Sequence, residues 1–141
     1  ALARELGLRV ARRSNASTHP DAEVVIGDSM GEMLAYYAQA TAVVMGGTLA
    51  GTGGQNLIEP CAVGVPVILG PSVFNFQQAA DEAIAAGAAI AVADSKAALD
   101  AVAAWLDAPV LRAQAAEAAR QFVAAHRGAT ARTLALLGFT A

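Results

Sequence analysis

The densest run of chemically useful residues is "GTGGQNLIEP", positions 51–60. Glycine crowds its first half, and a missing Cβ lets backbone come close to a ligand. A helix opening near Asn56 would present free N–H groups and the positive end of its dipole, which together attract an anion. Thr48, read as the end of the preceding strand, adds a hydroxyl. Asn56 and Glu59 stand three residues apart, so both can lie on one face of that helix. A carboxylate repels phosphate but accepts hydrogen bonds from hydroxyls. Phosphate at the helix tip with a ribose at Glu59 therefore makes a coherent nucleotide-sugar site. Two plainer readings stand beside it: the glycines form only a flexible strand-to-helix turn, and Glu59 only complements a helix dipole. The segment is not a P-loop, because it has no lysine, and not a dinucleotide loop, because Asn56 occupies the place of its last glycine.

Two other places share the chemistry. Met30, Gly31 and Glu32 follow an apolar run, although Ser29 and Glu32 also have the spacing of a capping box. Phe74, Asn75 and Phe76 follow another run; they are read as either pocket lining or hinge packing. Arg4, Arg9, Arg12 and Arg13 cluster near the start, where they face an anionic partner or simply solvent. The one cysteine, Cys61, has no internal disulfide partner and reads as a small buried residue on a helix. His19 and His126 lie far apart, and no Cys/His spacing supports zinc, so no metal is expected.

These residues need elements to position them. The chain has 141 residues, 56% apolar and 15% charged, enough for one domain with a real core. The net charge of −3 argues against nucleic acid as a partner. No apolar run reaches the roughly 18 to 20 residues of a membrane span. The opening "ALARELGLRV" lacks the form of a signal peptide and reads as the middle of something longer, so a fragment of a larger protein is expected.

Short apolar runs at 8–12, 24–28, 42–47, 66–71 and 88–93 read as strands. A loop around Pro20 separates the first two. Helices are expected over 29–40, over 56–64 with Gly64 as stop, and over 76–87 with Gly87 as cap. A further helix starts at Asp94 or Ser95, with Leu99, Val102, Ala103 and Leu106 on one face. Another opens at Pro109 and shares Leu111, Ala115, Ala118 and Phe122 on a face, and "TARTLALLG" closes the chain with Leu134 and Leu137. Alternating strands and helices imply an α/β domain, a doubly wound, Rossmann-like parallel sheet spanning residues 1–141. Ligands bind such sheets beyond the carboxyl ends of the strands, which selects residues 27–32, 46–59 and 70–76.

The ordered set "GDSMGEM", "YYAQATAVVMGGTL" and "GGQNLIEPCAVGVPVILGPSVFNF" closely resembles the C-terminal domain of bacterial 3-deoxy-D-manno-octulosonic acid (Kdo) transferases. The match covers residues 24–76; the later helices carry little identifying chemistry. The resemblance implies the C-terminal half of a two-domain GT-B glycosyltransferase, lacking its first strands. Such enzymes move Kdo from CMP-Kdo to the lipid A precursor in lipopolysaccharide biosynthesis, at the cytoplasmic face of the inner membrane. It further implies that this domain holds the CMP-sugar donor. The absent N-terminal domain would hold the acceptor, the catalytic carboxylate and the membrane anchor, so the fragment alone would be inactive.

Carried over by position, the donor contacts implied are Met30, Gly31, Glu32, Thr48, Gly54, Gln55, Asn56, Leu57, Ile58 and Glu59, with no catalytic residue, cofactor or metal in this chain. The chemistry implied is an inverting displacement with CMP as leaving group. The family often has histidine at positions occupied here by Gln55 and Ser72, which cannot titrate near neutral pH. Two rival expectations remain: a GT-B enzyme using a UDP-sugar, and a non-catalytic α/β interaction module whose glycine loop is only structural.

Overall fold

Each of the five apolar runs forms a strand of three residues. The structure is a computed structural model that describes residues 2–15 and 21–138. His19 and the expected loop around Pro20 lie outside the described residues. The chain divides into two compact units, Ala1–Met33 and Leu34–Ala141.

The first unit contains helix α1 (Leu2–Glu5) and strands β1 (Val10–Arg12) and β2 (Val24–Ile26). The strands pair in parallel, with Val10 opposite Val24 and Arg12 opposite Ile26. Ala11 is the buried residue of β1. The expected helix over 29–40 starts late. Gly31 takes φ +79°, a left-handed value that a right-handed helix cannot contain, so residues 29–32 turn and helix α2 (Met33–Gln39) begins after them. The capping box is therefore not formed as a helix start. Instead the Ser29 hydroxyl donates to the Glu32 carboxylate.

The second unit takes most of α2 and adds β3 (Val43–Met45), α3 (Gly46–Leu49), α4 (Ile58–Ala62), β4 (Val67–Leu69), α5 (Gln77–Ala85), β5 (Ala89–Ala91), α6 (Ser95–Asp107), α7 (Pro109–His126) and α8 (Ala129–Leu136). Its sheet is parallel in the order β3-β4-β5, with Val44, Ile68 and Ile90 in register. All three residues of β4 are buried, as befits a strand covered on both faces. Val67 and Leu69 join a core with Leu57, Cys61, Ala83, Ala119 and Phe122, while Ile68 packs with Ala98 and Trp105 on α6. Alternate residues of one strand thus serve opposite layers. The expected α/β class and parallel pairing hold, in two sheets of two and three strands.

Several boundaries hold as well. Asp94 caps α6 by accepting from the Ala97 N–H at 2.8 Å, Pro109 is the first residue of α7, and α4 stops before Gly64. Of the expected face of α6 only Val102 turns inward, and Ala103 is exposed. Leu99 and Leu106 are exposed, and the inward face is Ala98, Ala101, Val102 and Trp105. The bulky indole sets the rotation of this helix, which carries the two leucines about 100° away from the core. In α7, Phe122 is buried with Ala118 packed against the same core, Ala115 packs instead against the cluster of Ile68 and Trp105, and Leu111 is exposed. No helix among the described residues is long and apolar enough to cross a membrane.

Candidate functional site

At the carboxyl ends of β3 and β4 the glycine turn and the 70–76 loop are tied together. β3 ends at Met45 because Gly46 already begins α3, so Thr48 lies in a helix rather than at the expected strand end. Its side chain is buried, 2% exposed. Its hydroxyl donates to Met45 O at 2.5 Å and accepts from Gly70 N at 2.6 Å. That hydroxyl therefore joins the two strand ends. Ser72 N donates to Thr48 O at 3.0 Å, and Asn75 Nδ2 donates to Thr52 O at 3.1 Å.

The glycines are required by this closeness. Gly53 and Gly54 have φ of +84° and +78°, which L side chains rarely adopt. A Cβ at Gly53 would sit 2.6 Å from Asn75 and 2.7 Å from Phe74, and one at Gly54 would sit 2.6 Å from Thr48. Phe74, at 66% exposed, leads a 3₁₀ turn (Phe74–Phe76) and stands over the glycine turn.

The turn delivers Gln55 exposed, Asn56 half-buried and Leu57 into the core. Asn56 Oδ1 accepts from Ile58 N at 3.1 Å, and Asn56 Nδ2 donates to Glu59 Oε1 at 3.2 Å. The shared face inferred from their spacing is real. The helix they open is shorter than expected, five residues rather than nine, with Pro60 inside its first turn contributing no N–H. A helix of this length has a weak dipole, so the backbone contribution to anion binding is smaller than the sequence suggested. Leu57 is committed to packing, so only its backbone faces outward chemistry. Ile58 is partly exposed.

Tyr37 on α2 escaped the sequence reading. Its phenol is pushed above its ordinary value, by burial first and by the negative charge of Glu59 second. Nothing in the spacing of residues 37 and 59 signals this proximity. Cys61, fully buried on α4, is raised to about 11 by burial, as an inert packing thiol should be. Among the described residues no three His, Cys, Asp or Glu side chains gather as metal ligands would.

In the first unit Met30, Gly31 and Glu32 follow the carboxyl end of β2, with Met30 97% exposed. The arginine cluster faces solvent, and three of its members also pair with carboxylates. Arg9 meets Glu23 at 3.5 Å, Arg12 meets Asp28 at 3.7 Å and Arg13 meets Glu32 at 2.8 Å. Asp28 also accepts from the Ser14 N–H at 2.9 Å and the Ser14 hydroxyl at 2.7 Å. Those hydrogen bonds are the main reason its carboxyl is held below the usual range, with Arg12 contributing less.

Comparison with known proteins bears on the whole arrangement. A Kdo transferase of Bordetella pertussis is 52% identical over 130 residues, 91% of this chain and 30% of that protein. One from Haemophilus influenzae is 33% identical over 129 residues, again 91% of this chain and 30% of that protein. The chain thus spans about a third of the length of these relatives. The crystal structure of the C-terminal CMP-Kdo binding domain of WaaA from Acinetobacter baumannii superposes with a TM-score of 0.81 at 33% identity, over 86% of this chain and 64% of that one. The resemblance to Kdo transferases read from residues 24–76 is borne out, and it extends well beyond them. The family model of glycosyl transferases group 1 matches residues 11–122, from β1 through the last buried residue of α7, and the chain belongs to that family.

Proposed function

We propose that this chain is the donor-binding domain of a Kdo transferase, with CMP-Kdo as donor. The observation that carries the reading is the hydrogen-bonded Asn56–Glu59 pair, delivered by a glycine turn at the carboxyl ends of two parallel strands. An amide and a carboxylate side by side suit a nucleoside: Glu59 accepts from ribose hydroxyls, and the amide dipoles of the turn stabilise the single phosphate of CMP as it leaves. Donor contacts are assigned to Met30, Gly31 and Glu32 in the first unit and, separately, to Gly54, Gln55, Asn56, Ile58 and Glu59 in the second, with Leu57 acting through backbone. Thr48 shapes the site by holding the strand ends rather than by touching donor.

In the whole protein, transfer to the lipid A precursor at the cytoplasmic face of the inner membrane follows from the same reading. The acceptor, the general base and membrane attachment are assigned to a partner domain. No metal or resident cofactor enters the scheme, and the displacement inverts the anomeric centre.

Calorimetric titration of the intact protein with CMP tests this. CMP is expected to bind, UDP to compete poorly, and Glu59→Gln to weaken CMP about tenfold, the loss of a charge-assisted hydrogen bond, without changing Tm. Preference for UDP would assign the site to a UDP-sugar enzyme. No binding of either nucleotide would leave the glycine turn purely structural.

A further inference from the structure

The arginine cluster contains one member whose placement goes beyond charge balance. Arg13 directly follows β1, and its backbone N–H donates to Ile26 O at 2.9 Å, so its base is fixed to the end of β2. Its neighbours Arg12 and Ser14 both reach Asp28. Arg13 instead reaches across to Glu32, Nη2 to Oε1 at 2.8 Å. The other carboxylate oxygen of Glu32 accepts from Ser29 Oγ. Glu32 sits on a loop that turns at a left-handed Gly31 beside an exposed Met30, with no atom within 4 Å of where a Gly31 Cβ would lie. That loop has little packing to orient it, so its carboxylate is orientated by hydrogen bonds from both sides.

The side chains of Arg13 and Glu32 are 50% and 34% exposed. A pair this wet contributes little to stability. A short, charge-assisted contact still fixes direction. We infer that Arg13 is a positioning residue for the donor: it sets the Glu32 carboxylate in the orientation in which Glu32 meets the CMP-sugar. The inference rests on the proposed reading of Glu32 as a donor contact.

A double-mutant cycle on CMP affinity in the intact protein tests it, with Glu32→Gln, Arg13→Ala, Arg13→Lys and the combinations. Glu32→Gln and Arg13→Ala should each weaken CMP by about fivefold, and Arg13→Ala should add almost nothing in the Glu32→Gln background. Arg13→Lys should recover part of the loss, because a lysine supplies the charge without the planar fork. If Arg13→Ala does not fold, Arg13→Lys with and without Glu32→Gln settles the coupling by the same comparison.

If Glu32→Gln weakens CMP while Arg13→Ala leaves affinity unchanged or acts additively, the positioning role is overturned and the donor site stands. A lowered Tm with unchanged affinity would likewise make Arg13 structural only. If Glu32→Gln itself has no effect, Glu32 is not a donor contact and the inference falls with that reading.

Discussion

A hydroxyl at position 48 does two jobs that no short-range pattern announces, since its partners are Met45 and, 22 residues away, Gly70. Thr48→Val keeps the branched shape but leaves a buried N–H and a buried carbonyl without this partner. It should lower the unfolding free energy by about 1–3 kcal/mol in denaturant titration. Unchanged stability would mean that the loop relaxes or that water replaces the hydroxyl. The contrast with Glu59 is instructive. The pairing of Asn56 with Glu59 was legible because it is local, three residues on one turn. The contacts of Thr48 with Gly70, of Asn75 with Thr52 and of Arg13 with Glu32 were not, because each joins segments distant in sequence.

At the scale of elements, punctuation was easier to read than rotation. Asp94, Pro109 and Gly64 mark boundaries by their own backbone chemistry, and each is where it was expected. Asp94→Ala should remove the cap of α6 and cost about 1 kcal/mol, seen as a lower denaturant midpoint. No change would mean that packing of Trp105 alone fixes the helix start. Which face of α6 turns inward was not legible, because leucines at 99 and 106 compete with a tryptophan at 105 and only the neighbouring layer decides.

The link between α5 and α7 supplies a test in pH. His126 Nε2 lies 2.7 Å from Glu82 Oε2, and Gln78 Nε2 donates to Glu82 Oε1 at 2.9 Å. The Glu82 carboxyl is held below its usual value, by Gln78 first and His126 second. A depressed folded-state value means that its contribution is present above the ordinary carboxylate range and is lost as pH falls through the folded value. Thermal melts of Glu82→Gln should therefore fall below wild type near neutrality and converge with it only as pH falls below the ordinary carboxylate range, through the lowered folded value. A gap that persists at low pH would assign the loss to packing instead of charge.

Over the whole molecule, parallel pairing and strand-helix alternation followed from the pattern, because buried strands read as unbroken apolar runs. Division into two units did not, since no change of composition marks residue 33. The larger unit has another property, written in the smallness of its core. Ala80, Ala83, Ala88, Ala89 and Ala119 are all essentially fully buried. Each methyl removes little surface from water, so the backbones of α5, α7 and β5 approach closely without much apolar area between them. Heat capacity of unfolding tracks exposed apolar area. Calorimetry on the 141-residue chain should find it below the usual ~12–15 cal/mol/K per residue; a value at or above that range would contradict the point. A low heat capacity flattens the dependence of stability on temperature, so this fold should loosen slowly on warming and resist cold denaturation better than a leucine-rich domain of equal stability.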